Sequence, residues 1–174
     1  ANTNMQNKKG GTALALTAGF RHPEAMETLL KFKADPNLAY YDGDSPLMIA
    51  AEQGFAPENI KLLLKYKANA NAQDTNGCNA LMRFAHYHNL SSDYDQKIFE
   101  LLVAHTDLQQ CDKEGHTVVW HAMRYNGWPY ADVARGLIKA GAALDSSDII
   151  NADGWNLLEN RYMENAADTS AGNE

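Results

Sequence analysis

Asp42-Gly43-Asp44-Ser45-Pro46-Leu47-Met48-Ile49-Ala50-Ala51 is the stretch that decides how this chain folds. A glycine near its start is followed four residues later by an aliphatic side chain, and two alanines close it. The glycine–aliphatic pair recurs as Gly10/Leu14, Gly43/Leu47, Gly77/Leu81, Gly115/Val119 and Gly154/Leu158, with the glycines 33, 34, 38 and 39 residues apart. Downstream of the first four pairs lie Met26-Leu29-Leu30, Ile60-Leu63-Leu64, Ile98-Leu101-Leu102 and Ala134-Leu137-Ile138. That spacing lays one apolar stripe along one face of a helix. A polar stretch rich in Asn and Asp then leads to the next glycine. Each unit reads as helix, short loop, helix, turn. A pair of short helices cannot bury its stripe alone, whereas stacked copies share one continuous core. The fold class expected is an all-α solenoid of stacked helix-turn-helix units, four complete and a fifth begun.

The rest of the composition narrows the function classes. A length of 174 residues suits one domain with a real core. The chain carries 15 Lys and Arg against 22 Asp and Glu, a net charge of −7. That acidity disfavours nucleic acid and anionic membrane surfaces as partners. No run approaches the roughly 20 apolar residues of a membrane-spanning helix. Two cysteines, Cys78 and Cys111, cannot make a disulfide framework; two unbridged thiols are expected, with one bridge as the alternative. Nothing in the residues separates a cytoplasmic from an exported setting. The Asn89-Leu90-Ser91 sequon is of a kind common by chance.

With the repeat in view, the residues resemble the ankyrin repeat family. The quoted stretch is similar to that family's D-G-x-T-P-L-H-L-A-A, and Ala68-Asn69-Ala70-Asn71-Ala72-Gln73-Asp74 to its A-D-V-N-A-x-D. Ala34-Asp35-Pro36-Asn37 and Thr106-Asp107-Leu108 occupy the same place in their units. The resemblance implies β-turn or hairpin fingers between units. It places units at about 4–41, 42–74, 75–112 and 113–150, a capping unit at 151–165, one domain over 1–165, and a flexible tail at 166–174. Asn4–Gly10 reads like the tail of a preceding unit. The departures are specific. The family histidine is replaced by Ala15, Met48, Met82 and Trp120. Lys33, Lys67 and His105 stand where the family ends its helices on glycine; only Gly141 fits. Insertions fall near His88–Asp95 and Asp145–Asn151.

The same resemblance implies a non-enzymatic module that binds a protein partner through a concave groove and the inserted loops. Two sets of side chains would face that groove. The turn set is Tyr41, Asp42 and Asp44; Thr75, Asn76 and Cys78; Lys113, Glu114 and His116; and Asp153 and Trp155. The helix set is Glu52 and Gln53; His86 and Tyr87; Arg124 and Tyr125. Trp128 and Tyr130, in a loop, either join the interface or cover their own helix pair. Interfaces favour Tyr, Trp and Arg because flat, rigid side chains bury much area at low entropy cost. The acidic balance points to a partner with a basic surface, and a monomer is expected in its absence. An inhibitor or immunity-type antidote that blocks an enzyme or toxin is one form of the reading. A scaffold or host-interacting fragment of a longer protein is the other.

No cofactor is expected, because the chain lacks phosphate-cradling glycine loops of the G-x-x-x-x-G-K-[ST] or G-x-G-x-x-G kind. No spacing suggests a Ser-His-Asp or Cys-His pair. His86-x-His88 with His116 and His121 invites a metal, and a metal-dependent site around His86, His88 and His116 is the rival reading. Residues at i and i+2 do not share a helix face, so capping or surface histidines are the expectation.

Overall fold

A computed structural model of the protein describes residues 2–40, 42–54, 56–124 and 131–142. Tyr41, Tyr125, Trp128, Tyr130, Asp153, Trp155, the anchor pair Gly154/Leu158, the Asp145–Asn151 insertion, the capping unit and the tail lie outside the described residues. Among the described residues there are eight helices: α1 (Ala13–Ala18), α2 (Pro23–Lys31), α3 (Pro46–Gln53), α4 (Pro57–Lys65), α5 (Ala80–Tyr87), α6 (Asp93–Val103), α7 (Val118–Arg124) and α8 (Ala131–Lys139). The first helices of successive units stack in one layer, α1 on α3 on α5 on α7. The second helices α2, α4 and α6 stack in another, and α8 packs on α7. None of these helices is long and apolar enough to cross a membrane.

Two residues after each finger glycine stands a capping side chain, which fixes where the first helix begins. Thr12, Ser45 and Asn79 accept hydrogen bonds from the backbone N–H of Ala15, Met48 and Met82, and Thr117 Oγ1 accepts from Trp120 N at 3.2 Å. A cap of this kind satisfies an N–H that the helix leaves orphaned. The anchors Leu14, Leu47, Leu81 and Val119 are then buried to 1% exposure or less. Ala50, Ala51 and Ala85 are buried beside them, where their small side chains let the helices approach. From the second helices, Met26, Leu30, Ile60, Leu63, Ile98, Leu102, Ala134 and Leu137 complete the core.

The fingers are tight turns without strand pairing among the described residues, so the hairpin form expected of them is a turn alone. Each closes in the same way. Asp74 N donates to Cys78 O and Gly77 N to Asp74 O, while Asp112 N donates to His116 O and Gly115 N to Asp112 O, all at 3.0–3.1 Å. Gly77 has a φ of +84°, and a Cβ there would stand 2.5 Å from Lys113 N of the next finger. That approach lets Lys113 N donate to Asn76 O at 3.0 Å, as Thr75 N does to Asp42 O one finger earlier. Behind the fingers runs a ladder of asparagines. Asn4, Asn37 and Asn71 each accept through Oδ1 from a backbone N–H about one repeat length further on, at Asp35, Asn69 and Asp107. Asn4 thus acts as its counterparts in the later units do.

The helix ends divide the glycine substitutions into two kinds. Lys33 and Lys67 adopt left-handed backbone, with φ of 64° and 70°. Each closes its helix with a pair of reverse bonds, such as Lys67 N to Leu64 O and Ala68 N to Leu63 O. His105 does not follow them into the left-handed region. Its ring caps the helix instead, with Nδ1 donating to Leu101 O at 2.8 Å.

The insertion near His88–Asp95 is shared between two places. The link between α5 and α6 has five residues where α3 and α4 are joined by three, and α6 has 11 residues where α4 has nine. The link is pinned by His88, whose ring stacks on Phe84 with centroids 5.0 Å apart. Its Nε2 donates to Glu52 O at 2.7 Å, and its Nδ1 lies 3.4 Å from Asp95. A Cβ on Gly54, itself left-handed at φ +64°, would fall 2.2 Å from that ring.

Candidate functional site

The fingers and first helices of the third and fourth units enclose a cleft of about 350 Å³. Its walls follow from the repeat geometry. The fingers supply Thr75, Asn76, Cys78, Asp112, Lys113 and Glu114, and α5 and α7 supply Met82, Arg83, His86, Tyr87, Trp120, His121 and Arg124.

Two polar nodes organise this region, and they occupy equivalent places. In the third unit the finger carboxylate Asp74 accepts through Oδ1 from the N–H groups of Asn76 and Cys78. Its Oδ2 pairs with Arg83, nine residues on, at 2.5 Å from Nη2 and 3.0 Å from Nε. Arg83 also reaches back into the second unit, to Asp44 at 2.7 Å and Glu52 at 2.9 Å. Asp74's side chain is fully shielded from solvent. Burial alone would disfavour the charged guanidinium, but Asp74, Asp44 and Glu52 together raise its pKa further. Burial raises the pKa of Asp44, and Arg83 opposes that rise.

In the fourth unit Asp112 Oδ1 accepts from the N–H groups of Glu114 and His116, both at 2.9 Å. Here Oδ2 meets imidazole: His121 Nε2, nine residues on, at 3.0 Å and His116 Nδ1 at 3.3 Å. Burial opposes ionisation of Asp112, but the two backbone N–H groups and His121 outweigh it and hold the pKa below the usual range. His121 is buried, and burial lowers its pKa although Asp112 pulls the other way. His116 stacks on Trp120, with centroids 3.6 Å apart, and the Arg124 guanidinium lies 4.6 Å from the same indole.

Between the nodes sits Cys78, with Sγ 3.9 Å from His121 Nε2. Spacing gave no hint of a Cys-His pair, because these residues lie 43 positions apart in different units. The arrangement is not a nucleophile relay. A relay aims opposite imidazole nitrogens at the nucleophile and the carboxylate; His121 turns Nε2 to both. Burial, then the charges of Asp74 and Asp112, push the thiol up to about 11. It is therefore protonated at neutral pH and a poor nucleophile.

The sequence-predicted groove residues fall into three groups. Thr75, Asn76, Cys78, His86, Tyr87, Lys113, Glu114 and Arg124 line the cleft together. Asp44, Glu52 and His116 border it but already have partners, in Arg83 and in the Trp120–Asp112 pair. Gln53 is half-buried beside Gly19, and Asp42 contributes its backbone carbonyl to the finger contact. The charges of Asp44 and Glu52 in the second unit are thus neutralised in part by Arg83. The rival metal set is corrected as well. His88 is held by Glu52 and Asp95, away from His86 and His116, because its ring fills the space that Gly54 leaves. The described residues that do converge are Cys78, Asp112 and His121, whose ligand atoms all lie within 4.8 Å of one another. Cys78 and Cys111 are not bridged.

The phased helix pairs and linked fingers agree with comparison to known families. The family described as "Ankyrin repeats (3 copies)" matches residues 1–74 and 47–148. The chain belongs to the ankyrin-repeat family, whose repeats are generic modules of protein–protein interaction. No curated protein matches the chain closely enough to stand as a relative.

Proposed function

We propose that the chain binds a protein partner in the cleft between its third and fourth units, and that the partner presents a basic surface. One observation carries this reading. Asn76, Lys113 and Glu114 from the fingers and His86, Tyr87 and Arg124 from the helix ends converge on one cleft. Tyr87 is 45% exposed there, a large flat side chain offered to solvent. The fixed fingers hold these groups in register, so little ordering entropy is lost on binding. Over the whole chain 22 Asp and Glu outnumber 15 Lys and Arg. Such a balance speeds association with a basic partner more than it tightens the complex.

Affinity capture from native extract tests the reading with three proteins. These are the wild type, Tyr87→Ala/Arg124→Ala in the cleft, and Glu58→Ala/Lys61→Ala on the exposed side of α4. One stoichiometric protein that is lost with the cleft variant and kept with the α4 variant is the expected result. Equal retention by both variants, or no stoichiometric partner at all, overturns it. The captured protein's own activity then separates two roles. An inhibitor or immunity-type antidote abolishes that activity, and a scaffold leaves it intact.

A further inference from the structure

We propose that Cys78, Asp112 and His121 form a three-ligand site for a divalent cation of the zinc class, with its fourth coordination position open to the cleft. The proposal stands apart from the partner-binding reading. Its basis is donor chemistry and spacing. A tetrahedral zinc with bonds of about 2.0–2.3 Å sets its ligand atoms about 3.3–3.6 Å apart. Here His121 Nε2 is 3.0 Å from Asp112 Oδ2 and 3.9 Å from Cys78 Sγ, so shifts of a few tenths of an ångström bring these two pairs to bonding geometry. One sulfur, one imidazole and one carboxylate suit zinc; magnesium and calcium take oxygen shells.

The surrounding groups orient the donors as supporting shells do at metal sites. Asp112 Oδ1 is committed to two backbone N–H groups, which leaves Oδ2, 3.0 Å from His121 Nε2 and 3.3 Å from His116 Nδ1, as the oxygen offered to a cation. The Cys78 backbone is fixed by Asp74 Oδ1 at 2.9 Å. The nearby cations are turned to other tasks. Arg83 is held by three carboxylates, Lys113 Nζ donates to Thr75 O, and Arg124 lies by the Trp120 ring. On binding, the Cys78 thiol gives its proton to solvent, and the neutral His121 carries its proton on Nδ1 instead of Nε2. Binding therefore releases one proton and weakens as the pH falls.

Cobalt(II) titration of the metal-free chain tests this, followed by displacement with zinc. The expected result is one equivalent bound, with a thiolate-to-cobalt charge-transfer band and the intense visible bands of a tetrahedral ion, lost in Cys78→Ser and kept in Cys111→Ser. Asp112→Asn and His121→Gln should weaken binding by more than the roughly 10–100-fold that an outer-shell change costs. Should either variant unfold, the wild type still decides: bound zinc must protect Cys78, and not Cys111, from alkylation mapped by peptide mass. A wild type without the charge-transfer band overturns the site. So does a band that follows Cys111, or a Cys78 that zinc leaves unprotected.

Discussion

The third and fourth units hold the same carboxylate in the same finger and answer it differently. Asp74 meets the guanidinium of Arg83, and Asp112 meets the imidazole of His121, each nine residues further on. The backbone is common to both, down to the two N–H groups that each Oδ1 accepts. The partner alone decides whether the node is permanent. A guanidinium stays charged throughout the accessible pH range, whereas an imidazole changes charge near neutrality and can ligate a metal. One unit thus carries a fixed clamp, and its neighbour carries a node that pH or a cation can alter.

Breaking the clamp has the largest expected effect. Arg83→Met leaves Asp74 buried without its counter-charge and frees Asp44 and Glu52 across the unit boundary. Removing one partner of a buried pair costs about 3–5 kcal/mol. His121→Gln, which leaves a neutral side chain able to bond Asp112, should cost about 1 kcal/mol or less. Urea denaturation of the two variants side by side measures the gap, and equal losses would erase the distinction drawn here.

A pH series sharpens the contrast. The pKa of His121 is lowered in the fold by burial, and that of His86 is lowered by burial and by Arg124 and Arg83. The unfolded chain therefore takes up these protons before the folded chain does, and stability falls as pH drops below about 6.5. Above that value the contribution is fully present. Asp112, lowered in the fold, adds its own loss only further down, below the ordinary aspartate range. Midpoints measured at pH 7.5 and 5.5 should converge when His121 and His86 are both replaced by Gln.

Thiol chemistry gives a milder readout. With Cys78 pushed up to about 11, only about one molecule in a thousand carries the thiolate at pH 8. Iodoacetamide should reach exposed Cys111 well before Cys78. The smallest effects lie at the helix ends. Lys33→Gly and Lys67→Gly relieve left-handed backbone and should each stabilise by about 0.5–1 kcal/mol. His105→Gly gains no such relief, loses the cap on Leu101 and should destabilise. Thermal midpoints of the three variants make the comparison.

The repeat was legible because it rests on local spacing. A glycine, an anchor four residues on and a pair of small residues name a helix and its buried face without reference to any other unit. The same phase named eight residues that line the cleft. It did not reveal what those residues touch. Arg83 finds acids 9, 31 and 39 positions away, and Cys78 meets His121 across 43, so neither contact leaves a local trace. The one available clue was phase, since Arg83 and His121 sit at the same step after their finger glycines. His88 shows how far spacing reaches. The i, i+2 relation to His86 argued against a ligand pair and for a capping role, but it did not show that the longer link carries the ring into the second unit.

The double fastening of the second unit to the third has a mechanical consequence. Arg83 grips Asp44 and Glu52 while the His88 ring wedges beside Gly54, so two ties span one joint. Among the described residues, the joint between the third and fourth units has the finger contact of Lys113 N with Asn76 O and the bond from Gln109 Nε2 to Gly141 O, with no ion pair of that strength beside them. Pulled from its two ends, the chain should peel from the fourth unit and halt at this seam. In an optical trap the remaining units should yield later, at a higher load, and Arg83→Met should remove that pause.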